Sequence, residues 1–267
     1  MRRIARSLLF VPGDRPDRFE KAAACGAHQV IVDLEDAVSP EHKVRAREAV
    51  HAWLATGVDA VVRINGGGTS WFDDDIAMLR SLPGTALMLP KADLASAEQL
   101  GPLLPGHPVI ALIETVRGYV ELRQLAALPG INRFAFGSVD FAVDSGIEDV
   151  GEAQTSIRTQ LALESAHAGL PPPIDGVSLE LDDPAAIRRD VSRSRALGFG
   201  GKLCIHPRQV AAVNAVFLPT PEELDWARRV VAADESSGGG VTSLEGKMID
   251  KPVVERARRI LAEQPAD

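Results

Sequence analysis

The sequence lacks the features of a secreted or membrane-spanning protein. Its 267 residues contain only two cysteines, Cys25 and Cys204, which form neither a disulfide framework nor a CxxC site. No apolar run reaches the roughly 20 residues that a bilayer span needs. The basic start of the chain is followed by an apolar run that ends at Pro12, too short for the core of a signal peptide. We therefore expect a cytoplasmic protein with no membrane partner.

Basic residues are also in the minority. Acidic residues outnumber them by 37 to 29, which gives a formal net charge of −8. A protein that binds nucleic acid normally carries a basic excess or a basic stripe, so we do not expect a nucleic-acid partner. No predicted strand is followed by the phosphate-binding patterns GxGxxG or GxxxxGK[ST], and the zinc pattern HExxH does not occur. These absences argue against the common nucleotide-binding folds and zinc hydrolases.

What the sequence does contain is a regular alternation of short apolar runs and longer stretches with helical spacing. The candidate strands are Ser7–Val11, Gln29–Asp33, Ala60–Ile64, Ala86–Leu89, Val109–Ile113, Arg133–Phe136, Gly176–Leu179 and Lys202–Ile205. Strands that alternate with helices indicate βαβ units and a parallel sheet. Eight such units in roughly 215 residues predict a (β/α)8 TIM barrel. An open doubly wound sheet is the alternative, and the missing glycine-rich patterns disfavour it.

The chain changes character after Phe217. Two further helices are predicted over Pro221–Ala233 and Val253–Ala262, with a flexible serine- and glycine-rich run between them. A barrel does not need these helices. We therefore expect residues 1–218 to form the barrel and residues 219–267 to form a C-terminal helical segment that acts as a lid or as a subunit contact.

Charged residues gather where the predicted strands end. They are Asp33, Glu35, Asp36, Arg63, Lys91, Glu114, Asp140 and His206. In a barrel these strand ends meet at one mouth, where catalytic loops lie. Glu114 and Asp140 follow neighbouring strands, so they can share one cation, and an oxygen-only ligand set favours Mg²⁺. The alternative is that the acids pair with Arg63 and Lys91 in structural ion networks, and the spacing leaves both interpretations open.

Eight short motifs, in order along nearly the whole chain, are similar to those of one known family. They are RSLLFVPGDRP from Arg6, VDLEDAV from Val32, VRING from Val62, LPK from Leu89, LIET from Leu112, FGSVD from Phe136, GGKLCIHP from Gly200 and GKMIDKPV from Gly246. Together they resemble the citrate lyase β-subunit-like family of CoA-thioester lyases, within the HpcH/HpaI aldolase superfamily.

This resemblance implies a (β/α)8 enzyme that cleaves or forms a carbon–carbon bond in citryl-, malyl- or citramalyl-CoA. It implies Mg²⁺, with Mn²⁺ as a possible substitute, held by Glu114 and Asp140. Arg63 would contact the carboxylate of the oxoacid. Asp250 would transfer a proton from a C-terminal segment that closes over a neighbouring subunit's site. Family habit also implies a homo-oligomer, with a trimer favoured.

The resemblance further implies contacts to the CoA portion of the substrate. The matching positions are Phe10, Arg15 and Lys21, and the first 21 residues carry six bases against three acids, a net charge of +3 that suits CoA phosphates. A solvated helix face is the alternative interpretation of this basic patch.

Several other residues near the predicted mouth have expected roles. Val139 and His206 are further candidate substrate contacts, although a structural role for His206 is equally open. Asp33, Glu35 and Asp36 are predicted to support the metal site indirectly or through water.

Three functions are therefore considered. The first is a Mg²⁺-dependent lyase that splits a β-hydroxyacyl-CoA into acetyl-CoA and a small oxoacid, with Arg63, Glu114 and Asp250 as its catalytic residues. In this mechanism Arg63 pairs bidentately with the oxoacid carboxylate. The second is an aldolase acting on free hydroxy-oxoacids without CoA. The third is a non-catalytic subunit of a multi-enzyme lyase complex, which the presence of Arg63, Glu114, Asp140 and Asp250 disfavours.

Overall fold

The structure is a computed structural model that describes residues 4–236, 242–244 and 247–263. The chain divides into two compact units, Met1–Asn214 and Ala215–Asp267. None of the described helices is long and apolar enough to cross a membrane.

Eight parallel strands close into a barrel in chain order, with each strand hydrogen-bonded to the next and β8 to β1. The strands are β1 Ser7–Pro12, β2 Gln29–Asp33, β3 Val61–Arg63, β4 Ala86–Leu89, β5 Val109–Ile113, β6 Ile131–Phe136, β7 Ile174–Asp175 and β8 Gly201–Cys204. The predicted (β/α)8 architecture is therefore confirmed.

Helices follow the strands along the chain. They are α1 Phe19–Ala23, α2 Lys43–Leu54, α3 Phe72–Arg80, α4 Leu94–Leu103, α5 Val116–Val120, α6 Leu122–Ala127, α7 Ser138–Ser145, α8 Thr155–His167, α9 Pro184–Ala196 and α10 Pro207–Phe217. A core of alternate strand residues fills the barrel, including Leu8, Ile31, Val61, Met88, Leu112, Ile174 and Leu203. Every second residue of these strands points inward, which is why short apolar runs are sufficient to build a packed interior.

The seventh strand differs from its prediction. It consists of Ile174 and Asp175 alone, and the predicted run Gly176–Leu179 lies beyond it. Leu179 is 71% exposed, so the apolar alternation in this run does not correspond to a buried strand face. Gly176 packs so closely on Ser138 that an added Cβ would overlap its hydroxyl. The chain therefore leaves the sheet at this point to pass against the start of α7.

The second unit has its own small core. Helices α11 Pro221–Ser236 and α12 Lys251–Ala262 accompany an antiparallel hairpin of β9 Thr242–Leu244 and β10 Lys247–Ile249. Its buried residues are Ala227, Val230, Ile249, Val254 and Ala257. Both predicted helices are present, whereas the hairpin was not predicted. The role of this unit as a lid or a subunit contact stays a prediction.

Candidate active site

A small cavity of about 70 Å³ opens at the mouth of the barrel, where the strands end. It brings together five of the residues predicted from the sequence, which are Phe10, Arg63, Glu114, Val139 and Asp140. Phe10 comes from β1 and Arg63 from β3, while Glu114 directly follows β5. Val139 and Asp140 lie in the first turn of α7, after β6. The convergence arises because parallel barrel strands all end on the same face.

Glu114 is buried and fixed in position from two sides. Its Oε1 accepts a hydrogen bond of 2.7 Å from the backbone N–H of Lys91. On the other side lies Gly137, where an added Cβ would be 2.5 Å from the Glu114 Cβ and 2.6 Å from its Oε2. Only glycine allows the end of β6 to approach this carboxylate so closely.

The environment of Glu114 is unfavourable to its negative charge. Burial, together with the charges of Glu35 and Asp140, raises the pKa of Glu114 to about 8. Asp140 is exposed and forms no ion pair with the described residues. Both residues line the small cavity, and their joint binding of a cation stays a prediction. Burial and the two neighbouring acids therefore outweigh the opposing effect of Lys91 on Glu114.

These two acids would need further ligands to hold a cation. In the described part of the chain, no group of three or more His, Cys, Asp or Glu side chains is arranged to bind a metal ion. A pair of carboxylates nevertheless suits Mg²⁺, which is usually bound through one or two carboxylates and keeps several waters or substrate oxygens. The donor set at Glu114 and Asp140 fits that ion.

Arg63 is held in place by the acids after β2. Its Nε and Nη2 donate to the two carboxylate oxygens of Asp33, at 2.7 and 2.5 Å. Its Nη1 lies 3.2 Å from Glu35 Oε2, and its guanidinium stacks 4.8 Å from the ring centroid of Phe10. Burial alone would lower the pKa of the Arg63 guanidinium. The negative charges of Asp33 and Glu35 outweigh the effect of burial, so the pKa is raised.

This arrangement refines the expected role of Arg63. Asp33 and Arg63 are register partners on β2 and β3, so their side chains meet across the strands. Asp33 thereby occupies the Nε and Nη2 edge of the guanidinium. A ligand carboxylate would approach the edge formed by Nη1 and Nη2, which Glu35 borders at Nη1.

The other acids after β2 contact Arg63 and Lys91. Glu35 Oε1 accepts from Lys91 Nζ at 2.7 Å, and the exposed Asp36 lies 3.7 Å from the same ammonium. Burial raises the pKa of Glu35, although the nearby cations partly offset this effect. The ion-network interpretation thus describes Asp33 and Glu35 well. The predicted indirect support of a metal by Asp33, Glu35 and Asp36 remains a prediction.

One lysine that was not predicted from the sequence, Lys43, connects chain segments on this side of the mouth. The buried Nζ of Lys43 donates to the carbonyls of Leu34 and Glu35, both at 2.6 Å, and to Asn65 Oδ1 at 2.7 Å. It thereby joins the ends of β2 and β3. One feature of the sequence points to it, because Lys43 occupies the same helical stripe as the buried Ala46 and Val50.

Lys91 has an unusual backbone conformation. Its φ of 45° makes it the only non-glycine residue of the described ranges with positive φ. The turn directs the Lys91 N–H to Glu114, and the next amide, that of Ala92, returns to the carbonyl of Leu112 at 3.0 Å. Such strained residues are concentrated at functional sites, and this one orients a buried carboxylate.

The remaining predicted residues do not line this cavity. Arg15 is paired with Asp17 through two hydrogen bonds of 3.0 Å, and Lys21 lies exposed on α1. The Nδ1 of His206 accepts the amide of Arg208 at 3.1 Å, which supports a local structural role.

Asp250 belongs to the second compact unit. It is the N-cap of α12, where its Oδ1 accepts the amide of Val253 at 3.2 Å. A capping role of this kind is sufficient to explain an aspartate at the start of a helix. The predicted proton-transfer role therefore needs an experiment that separates it from capping.

Comparisons with known proteins identify the family of this chain. The chain belongs to the HpcH/HpaI aldolase/citrate lyase family, which matches residues 6–207, so the family predicted from the motifs is confirmed. It is 38% identical over 261 residues to a citrate lyase subunit beta-like protein of Mycobacterium tuberculosis, covering 95% of this chain and 93% of that protein. A (3S)-malyl-CoA thioesterase of Cereibacter sphaeroides is 34% identical over 273 residues, covering 98% and 95% of the two chains.

A solved structure is also similar over nearly the whole chain. It is CitE from Mycobacterium tuberculosis in complex with magnesium, acetoacetate and coenzyme A. The TM-score is 0.85 at 36% sequence identity, covering 98% of this chain and 99% of that one. A second structure, the citrate lyase beta subunit of M. tuberculosis with oxaloacetate and magnesium, gives a TM-score of 0.71 at 34% identity and covers 80% and 98% of the two chains.

Proposed function

We propose that this protein is a Mg²⁺-dependent carbon–carbon lyase that converts a β-hydroxyacyl-CoA into acetyl-CoA and a small oxoacid. The observation that carries the proposal is the convergence of Glu114, Asp140 and Arg63 on one cavity. The names of the relatives support it, since they include a citrate lyase beta-like protein and a CitE structure with magnesium, acetoacetate and coenzyme A.

Glu114 and Asp140 would hold the Mg²⁺ ion, with Mn²⁺ as a substitute. The ion would polarise the substrate oxygen that becomes the ketone of the oxoacid. Neighbouring residues would position the Glu114 carboxylate for this ion. The Lys91 N–H fixes Glu114 Oε1, and Gly137 leaves room for its other carboxylate oxygen.

Arg63 would bind the carboxylate of the oxoacid through its Nη1 and Nη2 edge. Because Asp33 fixes the opposite edge, the guanidinium would orient the scissile bond without having to be ordered by the substrate.

In the cleavage direction, the hydroxyl gives its proton to solvent water and the Cα–Cβ bond breaks. The oxygen becomes the ketone of the oxoacid, and the bonding electrons pass into a thioester enolate. We assign the proton that quenches this enolate to Asp250, which gives acetyl-CoA. Phe10, Arg15 and Lys21 are assigned to the CoA portion. In this proposal, Asp250 acts on the barrel of a neighbouring subunit in a homo-oligomer, with a trimer favoured.

A thioester hydrolase is the second candidate, because a relative at 34% identity is named (3S)-malyl-CoA thioesterase. Incubation with malyl-CoA and citramalyl-CoA distinguishes the lyase from the thioesterase by their products. A lyase releases acetyl-CoA with glyoxylate or pyruvate, while a thioesterase releases free CoA with the hydroxy acid. Cleavage of a free hydroxy-oxoacid alone would instead indicate an aldolase. No turnover of any of these would favour the non-catalytic subunit.

The role of Asp250 can be tested by two substitutions that differ only in capping. Asn caps a helix as well as Asp does, so Asp250→Asn should retain α12 and lose the proton transfer, while Asp250→Ala loses both. Mixing Glu114→Ala with Asp250→Asn subunits should restore part of the activity if the segment acts across subunits. An Asp250→Asn variant with full activity would exclude the proton-transfer role.

The CoA assignment predicts that Arg15→Glu with Lys21→Glu weakens the use of a CoA thioester. Arg45→Glu is the matched control, since Arg45 is also an exposed base but lies on α2. Equal kinetics for the double variant and the control would remove Arg15 and Lys21 from the CoA site.

A further inference from the structure

Lys43 is a buried lysine whose ammonium binds neutral oxygens. The residue is 5% exposed, and its Nζ donates to the carbonyls of Leu34 and Glu35, both at 2.6 Å. Its third hydrogen bond, of 2.7 Å, is to Asn65 Oδ1. No carboxylate of the described residues lies within ion-pair distance of this ammonium. A buried charge is costly unless it is fully hydrogen-bonded, and here all three donors of the ammonium are used on two chain segments.

The first of these segments is the turn after β2, which is held from two sides. The amide of Glu35 donates to Asp33 Oδ1 at 2.9 Å, and the amide of Ala37 donates to Asp33 Oδ2 at 3.2 Å. The carbonyls of Leu34 and Glu35 bind the Lys43 ammonium instead. Loss of this ammonium would leave both carbonyls without that donor, so the turn around the Asp33 carboxylate would rearrange.

The second segment is the end of β3, the strand that carries Arg63. Asn65 lies two residues after Arg63 and is 2% exposed. Its backbone N–H and its side-chain amide both donate to Asp75 Oδ2, at 2.9 and 2.7 Å, which directs its Oδ1 to Lys43. Lys43 therefore connects the turn after β2 to the end of β3.

We propose that Lys43 is a positioning residue for Arg63, which it keeps in the orientation that binds the oxoacid carboxylate. It acts through the residues that contact the guanidinium, since Asp33 binds Nε at 2.7 Å and Glu35 lies 3.2 Å from Nη1. The link to the oxoacid rests on the proposed function, whereas the effect on Arg63 can be measured without a ligand.

The first measurement is the NMR signal of the Arg63 Nε–H group, assigned by its loss in Arg63→Lys. It is recorded without ligand for the wild type, Lys43→Met and Lys202→Met, at a temperature where thermal melts show each protein to be folded. Lys202 is the matched control, since it is also a buried lysine, at 1% exposed, but pairs with Asp175 and Asp190. The Arg63 signal should shift or broaden in Lys43→Met alone. A wild-type signal in Lys43→Met, or the same change in both variants, would overturn the proposal.

The second measurement is the affinity for pyruvate in saturating Mg²⁺, by calorimetry. Lys43→Met should bind pyruvate about tenfold more weakly, as expected when a charged pair loses one of its hydrogen bonds. Lys202→Met should keep the wild-type affinity. Equal affinities in the wild type and Lys43→Met, or an equal loss in both variants, would overturn the positioning role.

A titration with Mn²⁺ alone separates this role from a general disturbance of the mouth. Lys43 has no hydrogen bond to Glu114 or Asp140, so Mn²⁺ affinity should stay at the wild-type value in Lys43→Met. A loss of Mn²⁺ affinity equal to that for pyruvate would overturn the proposal. If the wild type binds no pyruvate but the Arg63 signal responds to Lys43→Met, the proposed oxoacid site fails and the positioning of Arg63 is supported.

Lys43→Gln is the second variant, for use if Lys43→Met does not fold. Its amide can still donate to part of the three acceptors, so it disturbs the two segments less. The Arg63 signal and the pyruvate affinity should change in the same direction by smaller amounts. Wild-type values for both in Lys43→Gln would overturn the proposal.

Discussion

Two clusters of charged and polar residues in the barrel unit, each containing a buried carboxylate, use similar residue types with opposite results. The mouth cluster consists of Asp33, Glu35, Arg63, Lys91, Glu114 and Asp140. The rear cluster joins β7 and β8 to helices α8 and α9. It consists of Arg158, Asp175, Asp190, Ser194 and Lys202. Asp175 accepts from Arg158 Nε at 2.9 Å and from Ser194 Oγ at 2.5 Å.

The pKa directions show the difference between the clusters. Burial alone would raise the pKa of Asp175, but Lys202 and Arg158 outweigh it and lower the pKa. At the mouth, burial and two neighbouring acids raise the pKa of Glu114 to about 8. A buried carboxylate whose neighbouring cations outweigh its burial stabilises the fold, whereas one whose burial is reinforced by neighbouring acids is suited to binding a cation. Burial of charge alone does not indicate a site, and the uncompensated charge is the informative feature.

The largest expected effect is on metal binding by the mouth cluster. Glu114→Gln should weaken Mn²⁺ binding by more than about 100-fold, since even indirect partners of a metal contribute roughly 10–100-fold. Its melting temperature without metal should not fall, because the buried acid it removes is an unfavourable one. A calorimetric titration and a thermal melt on the same sample check both parts. A variant that melts well below the wild type would contradict the contrast between the clusters.

Asp175→Asn should show the opposite pattern. Removing one partner from a buried ion cluster leaves uncompensated charges on Arg158 and Lys202, so the free energy of unfolding should fall by about 3–5 kcal/mol. Mn²⁺ affinity of the folded fraction should stay at the wild-type value, because Asp175 is not among the residues that line the mouth cavity. Chemical denaturation measures the first quantity. If Asp175→Asn has the same free energy of unfolding as the wild type, the rear cluster does not stabilise the fold.

The raised pKa of Glu114 predicts how metal affinity depends on pH. A cation needs the carboxylate form, and below pH 8 the free protein must release a proton to supply it. Affinity for Mn²⁺ should therefore rise by up to about tenfold per pH unit towards pH 8 and level off above it. The free energy of unfolding without metal should change with pH in the opposite direction. Because the pKa of Glu114 is raised in the folded protein, its contribution to stability is present at low pH and is lost as pH rises towards 8. Calorimetry in two buffers counts the released protons, and no proton release at pH 7 would contradict the prediction.

The smallest effect concerns the strained turn at Lys91. Lys91→Gly and Lys91→Ala both remove the ammonium and keep the N–H that binds Glu114, so they differ only in the backbone. Glycine adopts positive φ freely, and alanine does not, so the glycine variant should be more stable by about 1 kcal/mol. Equal free energies of unfolding would mean that the strain at φ 45° does not contribute.

The sequence was sufficient to predict the barrel and most of the mouth. Strand periodicity marks the strands, and the geometry of parallel barrels brings Arg63, Glu114 and Asp140 to one face without further information. The acidic residues after β2 were also assigned to this mouth. Their actual contacts with Arg63 and Lys91 depend on strand register, which hydrophobic patterning does not specify at the level of individual atoms.

Other features had no usable pattern in the sequence. Helix α7 was missed, because its eight residues follow β6 without a break that marks a separate element. The positive φ of Lys91 could not be anticipated, since lysine gives no indication of that conformation.

The central claim is that Glu114 and Asp140 together hold one divalent ion. Crystals soaked in Mn²⁺ and pyruvate and measured at the manganese absorption edge test it directly. We expect one anomalous peak at the barrel mouth, within coordination distance of a carboxylate oxygen from each of the two residues. A peak that contacts only one of them, or no peak at the mouth, would contradict the claim.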